Sequence, residues 1–175
     1  YKEGAGTVDT YTTVNSLGSQ NAAIYATGSG TTINNYGNIN FTSGVGNVGV
    51  YSDNGAIANN YGNITVAGSD VDNDLYSIGM ATIGGTIKNY NTINVTGDYG
   101  LGMFAQGVGS YAEYNGTINI TESDKNVYGM FLDAGAKGVN NGLIRENGTG
   151  SETIGIAVLE GSEFTNNGIV DINLA

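Results

Sequence analysis

Apolar and polar positions alternate over short stretches of this chain, and the stretches return in a fixed order. Alternation at period two puts every second residue on one face of a β-strand. Asn34-Asn35-Tyr36-Gly37-Asn38-Ile39 returns as Asn59-Asn60-Tyr61-Gly62-Asn63-Ile64 and, with drift, as Lys88-Asn89-Tyr90-Asn91-Thr92-Ile93. Glu113 to Ile118, Val139 to Ile144 and Thr165 to Val170 continue the series. Equivalent positions at 37, 62, 91, 116, 142 and 168 lie 25, 29, 25, 26 and 26 residues apart. A second signature is interleaved with the first: Val48-Gly49-Val50, Ile78-Gly79-Met80, Leu101-Gly102-Met103, Tyr128-Gly129-Met130 and Ile154-Gly155-Ile156, with Ala22-Ala23-Ile24 as a degenerate copy.

Each period holds three short alternating pieces. One carries an apolar residue four positions before the repeat glycine (Ile33, Ala58, Ile87, Ala112, Phe164). The next carries two, as in Ile39 and Phe41 or Ile64 and Val66. The third is the x-Gly-x piece, whose two flanks are read as one interior face. Breaks fall at Asn-Gly and at Gly/Ser/Asp clusters, which supply the left-handed backbone of tight turns. Three strands per period of about 25–26 residues describe one coil of a parallel β-helix, an all-β solenoid. Stacked coils put like over like, so Ile39, Ile64, Ile93, Ile118, Ile144 and Val170 form one predicted interior ladder, and Met80, Met103 and Met130 a second. Asn35, Asn60, Asn89, Asn140 and Asn166 either form an amide ladder or serve turn geometry alone. Tyr36, Tyr61 and Tyr90 are expected to stack outward, as a packing element rather than a binding stripe.

The whole of 1–175 reads as one segment of about seven coils, with 1–21 an irregular first coil and 22–174 regular. Val8 and Val14 are the remnants of that first coil. The pattern stops without a polar cap, which marks a fragment of something longer.

Composition agrees. The chain has 30 glycines and no proline, as central strands require. Only 12% of residues are charged, too few for ordinary surface helices. Sixteen acidic against five basic residues give a net charge of −11, which repels nucleic acid and anionic membranes and admits cationic partners. No run is apolar enough for a helical membrane span.

Histidine and cysteine are both absent, which removes Ser-His-Asp triads, Cys nucleophiles and nearly all zinc sites. Carboxylate chemistry on adjacent coils stays open in principle, but the acids fall at non-equivalent turn positions. Only Lys137 and Arg145 sit where a lyase base belongs. No enzyme, no catalytic residue, no cofactor and no metal site is expected. The densest acidic cluster is Asp70, Asp72 and Asp74. It opens like a calcium loop, yet Leu75 and Ala81 stand where such a loop wants Gly and Glu. Its gap, Val66 to Ile78, is the longest in the chain, so a projecting acidic loop is the candidate partner-binding element, suited to Arg or Lys groups. The alternative is a tolerated insertion. The Asn-x-Thr triplets at Asn40, Asn63, Asn94, Asn115, Asn119 and Asn147 follow from the repeat composition and are read as incidental. Thr12-Thr13, Thr31-Thr32 and Thr117 do not build the flat threonine face of an ice-binding solenoid.

The Asn-Asn-Tyr-Gly-x-Ile unit followed by Val/Ile-Gly-Val/Met/Ile resembles the passenger repeats of large type V autotransporters, over roughly residues 22–174. It looks most like the giant fusobacterial outer-membrane adhesins of the arginine-inhibitable, RadD-like kind. The resemblance implies a right-handed helix displayed on a bacterial surface, with a C-terminal translocator barrel elsewhere in the parent chain. It implies attachment to surface proteins or glycans of other bacteria or of host cells. No binding residue carries over. A purely structural stalk, and less readily a polysaccharide-degrading β-helix, are the alternative readings.

Overall fold

In a computed structural model the described residues are 1–3, 5–121, 125–148 and 152–172. They form a parallel β-solenoid of about six turns, walled by three sheets of seven strands each. Sheet 1 holds Lys2–Glu3, Ala22–Thr27, Val48–Asp53, Ile78–Ile83, Leu101–Gln106, Val127–Asp133 and Thr153–Val158. Sheet 2 holds Gly6–Thr10, Thr31–Asn35, Ile57–Asn60, Thr86–Asn89, Tyr111–Tyr114, Lys137–Asn140 and Glu163–Asn166. Sheet 3 holds Val14–Ser16, Ile39–Phe41, Ile64–Val66, Thr92–Val95, Thr117–Ile120, Leu143–Glu146 and Ile169–Asp171. The chain visits them in the order 1, 2, 3, and every pairing is parallel and to the next coil. Seven strands per sheet, the first of sheet 1 a two-residue stub, wind through about six turns. Residues 173–174, the end of the expected regular region, and Thr149 of the Asn147 triplet lie outside the described residues.

The register puts repeat over repeat. Ile39, Ile64, Ile93, Ile118 and Ile144 stack in sheet 3 with no solvent exposure, and Val170 follows. Val14 begins the same column, so residues from the first coil already pair in register. Phe41, Val66, Val95 and Ile120 form a parallel column, and Glu146 breaks it. Glu146 is 5% exposed, and neither carboxyl oxygen has a hydrogen-bond partner.

The x-Gly-x flanks do not share one face. Met80, Met103 and Met130 are fully buried in the core, whereas Ile78, Leu101 and Tyr128 line a groove on the outside. The glycine causes the slip. A Cβ on Gly102 would lie 2.5 Å from the Gly129 carbonyl and 2.9 Å from Ile118 Cγ2, so this position also faces inward. Alternation therefore loses a step there.

The repeat glycines also act differently from expectation. Left-handed backbone is concentrated between sheets 1 and 2, at Gly28, Asn54, Gly55, Gly84, Gly107, Ala134 and Gly161 among others. Gly62, between sheets 2 and 3, is not among the residues of positive φ. There the demand is close approach: a Cβ on Gly62 would sit 1.9 Å from the Gly37 carbonyl oxygen of the neighbouring coil.

The asparagines form a true amide ladder. Asn35 Nδ2 donates to Asn60 Oδ1 and Asn60 Nδ2 to Asn89 Oδ1, each at 2.7 Å. The same amides donate to the turn carbonyls of Gly37 and Gly62, so ladder and turn are served together. Tyr114 interrupts the column, its buried hydroxyl donating to the Leu143 carbonyl at 3.0 Å, and Asn140 to Asn166 resumes it. Burial holds the Tyr114 phenol far above the usual range, so it stays protonated wherever the fold persists.

Candidate binding groove

Three outer walls face solvent, and two of them are polar. On sheet 2, Asn59 donates to Asn34 and Asn34 to Asp9, both at 2.8 Å. On sheet 3, Asn40 donates to Asn15 at 2.8 Å, Asn119 to Asn94 at 3.0 Å, and Arg145 Nε to Asn119 at 2.7 Å. Lys88 with Glu113 and Lys137 with Glu163 form ion pairs across coils of sheet 2, at 2.8 and 2.9 Å. Such ladders of amides and paired charges make these walls largely polar.

Sheet 1 is different. Its outer column runs Tyr25, Tyr51, Ala81, Phe104, Phe131 and Ala157. Beside it run Ile78, Leu101 and Tyr128, so several strands here are apolar on both faces. Side chains from three successive coils enclose a cavity of about 670 Å³, lined by Val71, Tyr76, Ile78, Tyr99, Leu101, Phe104, Gln106, Asn126, Tyr128, Phe131 and Asp133. This volume falls in the range of small-ligand sites. Phe104 and Phe131 have ring centroids 5.9 Å apart with planes tilted by 36°, and Tyr128 meets Phe131 edge to face at 5.1 Å and 82°. All three rings line the groove, and Phe104 and Phe131 are half-buried in its wall. At its polar end Gln106 Nε2 donates to Asp133 Oδ2 at 3.1 Å, and the Ala134 N–H donates to Asp133 Oδ1 at 2.8 Å.

The long loop, Ala67 to Ser77, forms one side of this groove. It contains a single 3-10 turn, Val71–Asn73, closed by paired backbone hydrogen bonds between Asp70 and Leu75 at 2.9 Å. Ser69 ties it down: its N–H donates to the Asp98 carbonyl, its Oγ donates to the Tyr99 carbonyl, and it accepts from the Ser77 N–H. The loop is a built element that delivers Val71 and Tyr76 to the cavity. Asp72 and Asp74 are exposed on it, and Asp70 is half-buried and accepts from Asn73 Nδ2 at 2.8 Å. The three carboxylates do not converge. Among the described residues no group of three or more acidic side chains is placed to hold a metal ion.

The tyrosine column is real and longer than expected. Tyr11, Tyr36, Tyr61 and Tyr90 stack at 4.8–4.9 Å with planes within 11° of parallel. Stacked rings cover each other's faces within the column and pack the turns, and Tyr11 at its end is 72% exposed. Burial, then the Asp9 carboxylate and neighbouring phenols, raises the Tyr36 hydroxyl.

Sequence reasoning found the loop and missed the cavity beside it. Phe104, Phe131, Tyr76, Tyr99, Gln106 and Asp133 were not singled out. Lys137 and Arg145, marked as the places for a lyase base, stand on sheets 2 and 3, on walls other than the grooved one.

No curated protein and no solved structure matches the chain. The BigA third pectate lyase-like domain matches residues 1–142, most of the length. The stacked three-sheet coils and this match agree, and the chain belongs to the family of the BigA third pectate lyase-like domain.

Proposed function

We propose that this domain is an extracellular attachment segment of a bacterial surface protein, holding the cell to molecules on other cells through the side wall of its solenoid. The observation that carries the reading is the contrast between walls. Two are polar ladders suited to a spacer, and the third holds an open aromatic cavity flanked by an anchored loop. A stalk has no use for apolar rings on both faces of a strand, since each exposed ring costs solubility.

The family match supports a surface setting, and the repeat pattern supports a passenger of the type V, RadD-like kind, anchored to the outer membrane through its own translocator barrel. Partners in this reading are proteins or glycans of other bacteria or host cells. The exposed Asp72 and Asp74, with Asp70, add a negative rim that suits cationic groups. The domain acts here by binding and not by catalysis. In support, the cationic side chains of the walls are engaged in cross-coil contacts with Glu113, Glu163 and Asn119, and the loop acids are dispersed.

The test is attachment of purified, labelled domain to oral streptococci and to epithelial cells, with and without excess free arginine. Saturable attachment supports the reading, and its loss in arginine assigns the acidic loop a share, to be checked with Asp70→Asn, Asp72→Asn and Asp74→Asn together. A folded domain that attaches to neither cell type makes this stretch a spacer.

A further inference from the structure

The groove on sheet 1 has a composition that narrows its occupant, on the reading of the domain as an attachment module. Among the described residues no lysine or arginine lines it, so an anionic sugar or a phosphate finds no counter-charge in that lining. Among the described residues its one carboxylate is Asp133, which accepts a hydrogen bond on each oxygen, from Gln106 and from the Ala134 N–H. That weakens its hold on a cation. A purely apolar occupant fails for the opposite reason. The hydroxyls of Tyr76, Tyr99 and Tyr128 make no hydrogen bond among the described residues, and with Gln106, Asn126 and Asp133 they put six hydrogen-bonding groups around the rings. Covering those groups with hydrocarbon leaves them desolvated and unpaired, at about 1–3 kcal/mol each.

We infer that the groove binds a short uncharged saccharide, its C–H faces laid on Phe104 and Phe131 and its hydroxyls paired with Gln106, Asn126 and the tyrosine hydroxyls. A neutral sugar is the ligand class that presents an apolar face and a ring of hydroxyls at once, matching half-buried aromatic rings beside planar amides. The tyrosine column lies between sheets 2 and 3, away from this groove, and takes no part.

The experiment is saturation-transfer NMR on the purified domain with neutral gluco-, galacto- and manno-oligosaccharides. Acidic oligosaccharides and an oligo-arginine peptide serve as separate arms. At least one neutral series binds, and Gln106→Ala and Phe131→Ala each weaken it by about tenfold or more, while Tyr11→Ala leaves it unchanged. Gln106→Ala changes only a half-exposed rim side chain, and unchanged circular dichroism shows that its effect is not unfolding. Failure of every neutral saccharide to bind the folded domain overturns the inference, as does binding indifferent to both groove variants, or binding of the acidic sugars or the peptide alone. A domain that attaches to cells but binds no neutral saccharide overturns this inference and leaves the attachment reading standing. One that binds saccharide but no cell does the reverse.

Discussion

Asn60 is the place where the solenoid's internal polar column can be tested by one atom group. It is fully buried, its Nδ2 donates to Gly62 O and to Asn89 Oδ1, and its Oδ1 accepts from Asn35. Asn60→Ala deletes all three bonds and leaves two acceptors, Gly62 O and Asn89 Oδ1, unpaired in the dry interior. Asn35 keeps its bond to Gly37 O and loses only its second. At about 1–3 kcal/mol for each orphaned group, the loss is about 2–6 kcal/mol. With a urea m-value of about 2–3 kcal/mol/M, the midpoint falls by roughly 1–3 M. Neighbouring Asn59, which makes the same amide contact at the surface with Asn34, is the control, and Asn59→Ala stays within about 0.5 kcal/mol. Asn60→Asp adds a sign. A carboxylate there keeps the single Asn35 donor but turns its other oxygen to two acceptors in a fully buried place, so desolvation and that repulsion raise its folded pKa above the unfolded value of about 3.9. The folded state then binds more protons than the unfolded one between those two values, and stability relative to wild type falls as pH rises through that window. Urea unfolding followed by far-UV circular dichroism at pH 4 and pH 7 reads both effects. If Asn60→Ala costs no more than Asn59→Ala, or the Asp variant's deficit is the same at both pH values, the ladder carries no energy and the asparagines serve turn geometry alone.

Three further outcomes follow from single positions. Gly62→Ala puts a Cβ 1.9 Å from the Gly37 carbonyl, which the stack cannot absorb without separating two coils, so the midpoint falls by more than the equivalent of about 3 kcal/mol or the chain fails to fold on purification. Glu146→Ile restores the Phe41–Val66–Val95–Ile120 column and removes two unpaired carboxyl oxygens, so the melting temperature rises, by about 2–4 °C for each kcal/mol gained at this size. At Glu113, burial alone raises the carboxyl, but the Lys88 ammonium with Asn115 and Tyr111 outweighs it and holds the group below the usual range. Its contribution is present above the unfolded pKa and lost as pH falls through the folded one. The stability gap between wild type and Glu113→Gln, about 0.5–1 kcal/mol for a half-exposed pair at pH 7, therefore closes on acidification below about pH 4.

The stacking order was legible because a parallel solenoid superposes equivalent residues. Once the steps of 25 to 29 residues are counted, the Ile39 column, the Met80 column and the Asn35 column follow without further information. The tyrosine column followed for the same reason, even through the longest loop between Tyr61 and Tyr90. Two inferences failed at glycine, and both failed in one way. A repeated glycine says that no Cβ is tolerated. It does not say whether the cause is backbone conformation or a neighbour's approach. At Gly62 the cause is the Gly37 carbonyl, and at Gly102 it is Gly129 and Ile118. Treating Gly102 as an ordinary member of an alternating strand put Leu101 and Met103 on one face, when the glycine itself takes an inward place and Leu101 falls outside with the groove.

That slip also hid the site. A strand with one wet face reads as alternation, as Ile-Asn-Val and Ile-Asn-Ile do in sheet 3, and its outward residues carry only amides and hydroxyls. Leu101-Gly102-Met103-Phe104-Ala105 and Val127-Tyr128-Gly129-Met130-Phe131-Leu132 do not alternate at all. A continuous apolar run in a solenoid coil has a definite meaning, because the interior takes one face of the strand and nothing in the coil itself covers the other. Attention to inward columns found the core and passed over the surplus of Phe104, Phe131 and Tyr128, which the core does not need. The acidic loop stood out by its length and charge; Asp72 and Asp74 are exposed on it, Asp70 is half-buried, and the residues it brings to the cavity are Val71 and Tyr76. In this fold the apolar residue out of phase marks an outer wall that the core does not account for, and the loop stands beside that wall.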